Sequence, residues 1–292
     1  MINQALQSGV FFQTTGISPS VSSGICDCLI IFIDCRLLII NQFKMKKITI
    51  LLFTLLISFY SFSQEARQNW EYWNTWTYTP KVGMNQQFEN AAAKKTKKFN
   101  SENDNLIVTY KIVTGQDNGT YLRIQPFQKS KDYDKDKSNE LEYWQTNVSE
   151  YVGKAGGQQR WVRMPWGDVN TDGTPKKYLT QHSYIIKPGK VQDFRRWQER
   201  IGKINSERRP ASSRVILAII SGGNWQEFIV FNGFDKYESS PKKFDTTWEE
   251  EYNKRFGANS WDDDRESSSE SIEMLIGHQV QTLELVEAMM PN

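Results

Sequence analysis

Histidine is the scarcest versatile side chain in this 292-residue sequence, occurring only at His182 and His278. An imidazole titrates near neutral pH and can act as a general base or as a haem ligand. His182 lies in KKYLTQHSYII, which reads as a strand, and Tyr184 follows two residues later on the same face. These two form the candidate catalytic pair. Trp76, Tyr78, Tyr110 and Arg123, on other predicted strands, are the candidate ligand contacts, with aromatic faces suited to stacking. The competing reading is a strand histidine satisfied by a neighbour, because no companion motif accompanies His182.

A second candidate is DVNTDG at 168–173, which matches the first half of a calcium loop through Asp168, Asn170 and Asp172. The twelfth position, where a bidentate glutamate belongs, is Leu179, so an Asp-Gly turn explains the segment more simply. No metal is therefore expected. The sequence contains no nucleophile elbow, phosphate-binding glycine loop or HExxH, which argues against a classical hydrolase.

Charge and targeting narrow the class. Met45-Lys46-Lys47 followed by ITILLFTLLISFY has the basic start, short apolar run and small residues (Ser61, Ser63) of a secretory signal over 45–63. Residues 1–44 then read as an upstream extension outside the fold. All three cysteines, Cys26, Cys28 and Cys35, lie in that extension, leaving no disulfide framework or thiolate site after cleavage. Removing residues 1–63 leaves thirty-two basic and thirty-two acidic residues, and neutrality removes the electrostatic case for nucleic acid. The expected protein is secreted or periplasmic, with no stable membrane anchor after signal cleavage.

The elements that would position these residues repeat. WTYTPKVGMNQQF and HSYIIKPGKVQDF each run from an aromatic strand through Lys-x-Gly into a helix whose first core aromatic, Phe88 or Phe194, comes five residues after the glycine. After the first come a hairpin (LIVTYKIVTG, GTYLRIQPF), a helix marked by Leu141, Trp144, Val148 and Tyr151, and the strand QRWVRM. After the second come RVILAIISGG and NWQEFIVFNGF, then a helix striped by Phe244, Trp248, Tyr252 and Phe256. WDDDRESSSES at 261–271 reads as a solvated insertion. A helix ending near Gly277 and a strand at HQVQTLELV complete the order. The predicted units are 64–173 and 174–292, each βαββαβ.

The Lys-Pro-Gly-Lys and Phe pattern around Lys187, together with this order, resembles the dimeric α/β-barrel superfamily. That superfamily includes antibiotic-biosynthesis-type monooxygenases, chlorite-dismutase-like haem proteins and NIPSNAP-type proteins. The resemblance implies an α+β fold in which two ferredoxin-like repeats pair their antiparallel sheets into an intramolecular α/β barrel. It implies a cavity between the sheets for a small apolar or aromatic ligand, or, alternatively, a cofactor-independent monooxygenase acting on an aromatic substrate. No cofactor is predicted, although haem and flavin stay open, and either a monomer or a homodimer fits. Strand parity leaves one choice unresolved. Either His182 and Tyr184 face the cavity, or Gln181, Ser183, Thr75, Thr77 and Thr79 do and His182 is structural.

Overall fold

The computed structural model describes residues 70–102, 105–170, 173–237, 244–275 and 277–291. The expected signal and upstream extension lie outside these residues, as does Asp172. Among the described residues are nine strands and five α-helices. The first run is β1 (Tyr72–Pro80), α1 (Asn85–Phe99), β2 (Val108–Ile112), β3 (Tyr121–Gln128), α2 (Ser138–Asn147), β4 (Val152–Ala155) and β5 (Gln159–Val169). Then follow β6 (Tyr178–Ile185), α3 (Val191–Arg208), β7 (Ser213–Ser221), β8 (Glu227–Phe234), α4 (Trp248–Phe256), α5 (Ser260–Glu270) and β9 (His278–Leu285).

The two Lys-x-Gly segments take the same local form. Gly83 and Gly189 both have φ +79°, a left-handed value that glycine adopts without strain. Met84 N–H donates to the Lys81 carbonyl at 2.9 Å, and Lys190 N–H to that of Lys187 at 3.1 Å. Each turn therefore swings the chain from strand to helix and drops Phe88 or Phe194, both fully buried, onto the sheet. Burying such a ring stabilises the fold by about 1.5–3 kcal/mol.

All pairings are antiparallel. In the first half the sheet order is β5-β1-β3-β2, and in the second it is β9-β6-β8-β7. Two seams join them, β2 to β9 and β5 to β7, so the order of pairing returns to its start after eight strands, with β4 added on β1. One apolar cluster, including Tyr110, Trp161, Leu217, Phe231 and Leu283, draws on strands of both halves. Two others lie under helices: Phe88, Ala92 and Tyr121 in the first half, Phe194, Ile216 and Phe228 in the second. Among the described residues, no helix is long and apolar enough to cross a membrane.

Three expectations need correction. Residues 261–271 are not a solvated loop: most of them form α5, whose Asp264 and Ser268 are buried. Asp264 accepts from Arg196 Nε (2.7 Å), Arg200 Nη1 (2.5 Å) and Tyr252 Oη (2.7 Å), so a carboxylate occupies the place of an apolar contact. The helix expected from Ile272 to near Gly277 is not seen among the described residues: α5 stops at Glu270, and Ile272 forms an isolated bridge to Ile186. In addition, Leu141, expected on a buried face, is 60% exposed.

Candidate functional site

The alternation of β6 decides which side chains meet. Tyr184 rests against Phe194 of α3, with ring centroids 5.1 Å apart, and belongs with the cluster under that helix. His182 and Tyr184 therefore share the helix side of the sheet. His278 stands opposite Tyr184 in the β6–β9 register and stacks on it at 4.4 Å and 9°. His182 Nδ1 lies 3.1 Å from His278 Nε2. Burial, then His278 and Arg214, pushes the His182 imidazole down to about 4, and burial pushes the Tyr184 phenol up to about 12. At neutral pH both are uncharged, which suits a packed aromatic group better than a proton-transfer pair.

The candidate ligand contacts do not converge on this pair. Trp76 is registered opposite Arg123 in the β1–β3 ladder. Arg123 is buried, donates to Thr96 Oγ1 of α1 at 2.6 Å and lies over the Trp144 ring. Tyr78 packs against Phe88 and Trp144, with burial raising its phenol. These three belong beneath the helices of the first half. Tyr110 alone is in the cluster shared by both halves, donating to the Lys176 carbonyl at 3.0 Å.

The acidic turn is engaged in internal contacts. Asp168 Oδ2 accepts from Arg163 Nη2 at 2.8 Å, and burial raises the Asp168 carboxyl despite that partner. Asn170 gives its amide hydrogens to the carbonyls of Pro210 and, at 2.7 Å, Ser212. Among the described residues, no group of three His, Cys, Asp or Glu side chains is arranged to hold a metal.

The opposite face of the strands holds a cavity of about 310 Å³. Its walls follow from the register: Gln181 sits between Gln281 and Phe231, Ser183 between Gln279 and Ile229, and Thr75 opposite Gln159. Amides and hydroxyls thus form the wall, and Ile112, Leu122, Ile229 and Phe231 the apolar floor. Gln181 donates from Nε2 to Ser183 Oγ at 3.1 Å, while its buried Oε1 has no partner. Glu227 also lines the space, and burial raises its carboxyl above the usual range. A second, apolar space of about 90 Å³, bordered by Trp73, Tyr110 and Phe127, shares Phe231 with the first. Among the described residues, no histidine or cysteine lines either cavity.

Sequence reasoning raised Gln181, Ser183, Thr75, Thr77 and Thr79 as the alternative inward set; the first four line the larger cavity, whereas Thr79 does not and its hydroxyl pairs with that of Thr120 at 3.0 Å. It missed Gln159, Gln279, Gln281 and Glu227. The detectable signal was the polar alternation of HQVQT, which pairs with that of TQHSY.

No family profile matches the sequence, and no curated protein matches it. Solved structures do. A protein from Lactobacillus acidophilus provisionally named a monooxygenase superposes with a TM-score of 0.51 at 9% identity, covering 74% of this chain and 94% of its own. One from Fusobacterium nucleatum, similarly named, gives 0.50 at 10%, with 75% and 93% covered. A third, provisionally named a chlorite dismutase, gives 0.46 at 12%, with 75% and 96% covered. The first two share with this chain an α+β fold of ferredoxin-like type.

Proposed function

We propose that this chain binds a small, neutral, hydrogen-bonding molecule in the polar cavity, and that its halves are copies of one ferredoxin-like unit closed into an intramolecular α/β barrel around it. The reading rests on the buried, unpartnered Oε1 of Gln181 in a wall of amides and hydroxyls. Leaving such an acceptor bare costs about 1–3 kcal/mol, which rotation of the Gln181 amide toward a ligand donor in the cavity would recover. The volume falls at the lower end of the ~300–1,000 Å³ usual for small-molecule sites. Against the expectation of a purely apolar or aromatic ligand, the wall calls for hydrogen bonding, and the Phe231 floor leaves room for one apolar face. Export through residues 45–63 belongs to the same proposal; N-terminal sequencing of the secreted protein should begin near Gln64.

A thermal-shift panel of sugars, amides and hydroquinones, run on the parent and on Gln181→Leu, tests the cavity. A compound that stabilises the parent and fails on the variant supports the reading. Equal stabilisation of both refutes it.

A second reading, an oxygenase acting on a phenolic substrate, draws on Glu227. Its carboxyl, raised by burial, borders the cavity, where as a carboxylate it can take a phenolic proton. His182 and Tyr184, on the other face of the strand, are less well placed for that step. Oxygen-electrode assays with hydroquinones should show turnover in the parent and its loss in Glu227→Gln; equal rates remove Glu227 as the base.

A further inference from the structure

The His182–His278 pair lies outside the proposed cavity, and its geometry suits a metal ion. Two imidazole nitrogens at the usual ~2.0–2.1 Å from one ion are separated by about 3.3 Å in a tetrahedral shell and about 2.9 Å at adjacent corners of a square plane. The observed Nδ1–Nε2 separation is 3.1 Å, between the two.

We infer that His182 and His278 form a two-imidazole chelate for a borderline divalent cation, Cu²⁺ ahead of Zn²⁺, on the outer face of the β6–β9 ladder. The order of preference follows from the affinity of nitrogen donors for first-row divalent ions. His278 is solvent-exposed, so the ion has an approach and water can fill its remaining positions. Tyr184 acts as a positioning residue: its ring stacks on His278 at 4.4 Å and packs against Phe194. The positive charge of Arg214 acts on His182, and its guanidinium is bonded to the Trp166 and Gly167 carbonyls and to Gln198. The competing account is an imidazole–imidazole hydrogen bond that merely ties β6 to β9.

The composition makes the test clean, because these are the only two histidines in the sequence. Tag-free, full-length protein with Cys26, Cys28 and Cys35 replaced by serine, so that no thiol competes for the ion, would be titrated with Cu²⁺ and with Zn²⁺ by calorimetry, and the Cu²⁺ form examined by electron paramagnetic resonance. The expected result is one equivalent bound, hyperfine structure from two imidazole nitrogens, and at least tenfold weaker binding in His278→Gln and in His182→Ala. His278→Gln is the more informative change, since an exposed residue at the start of a strand can be replaced without emptying the core. Unchanged affinity in both variants, or a Cu²⁺ spectrum lacking imidazole nitrogen, would overturn the site. So would weak, non-stoichiometric binding in the parent.

Discussion

Gly202 is in mid-helix in α3, where replacing glycine by alanine ordinarily stabilises a protein by about 0.8–1 kcal/mol. Here the opposite outcome is expected. A methyl group at Gly202 would lie 2.3 Å from Cα and 2.5 Å from the carbonyl oxygen of Gly167, in β5. Ordinary carbon contacts begin near ~3.5 Å, so helix and strand would have to part by about 1 Å. Overpacking of that kind costs about 1–3 kcal/mol. The Gly167 carbonyl also accepts from Arg214 Nη1 at 2.8 Å, and displacing it endangers a charge-assisted bond of about 1.5–3 kcal/mol. Set against the helix gain, Gly202→Ala should lose about 2–4 kcal/mol. That corresponds to a fall in Tm of roughly 5–15 °C for a chain of this size. Gly157→Ala is the control, because an added methyl there meets nothing within 4 Å. Thermal and urea unfolding followed by circular dichroism would measure both. A Gly202→Ala protein as stable as its parent, or more so, would refute the close approach of α3 to β5.

Two further outcomes follow from buried charge. Asp264→Ala should cost about 2–3 kcal/mol in urea unfolding, below the ~3–5 kcal/mol of a wholly buried pair because Arg196 and Arg200 keep part of their hydration. For Glu227 the sign runs through proton uptake. Its carboxyl is raised in the folded state, so the native protein holds more protons than the unfolded chain in that range, and stability falls as pH rises through it. Glu227→Gln should abolish this fall and leave the variant relatively more stable at neutral pH; urea midpoints collected from pH 4 to 8 would show an unchanged slope if the idea is wrong.

The scaffold was legible where local chemistry is decisive. Lys-x-Gly with a phenylalanine five residues on specifies a left-handed turn, a helix start and a buried ring, and both segments adopt that form. The start of α4 went unread: Phe244, expected on its stripe, precedes the helix, which begins at a capping box where the Thr247 hydroxyl accepts from Glu250 N–H while the glutamate accepts from Thr247 N–H. α5 was illegible because its inward face is made of a carboxylate and a serine, which composition alone assigns to solvent. The binding face of β6 was ambiguous for a different reason. Both faces of that strand are covered, one by helix α3 and the other by residues of β1, β2 and β3 that share its cavity, so alternation separates His182 from Gln181 without saying which side each takes. Only the pairing of Gln181 with Gln281 and Phe231 resolves it.

The return of the strand order to its start has a consequence for how this protein can meet others. A sheet with open edges can recruit a foreign strand, in signalling complexes or in fibrils, through its unpaired amides and carbonyls. In the eight-membered circuit each strand is flanked on both sides, and among the described residues that leaves β4, four residues long and paired on one side with β1, as the free margin. With Gly153 and Lys154 in its short span, β4 is a poor template. Among the described residues, the backbone ladder is therefore withheld from intermolecular use except at this short margin.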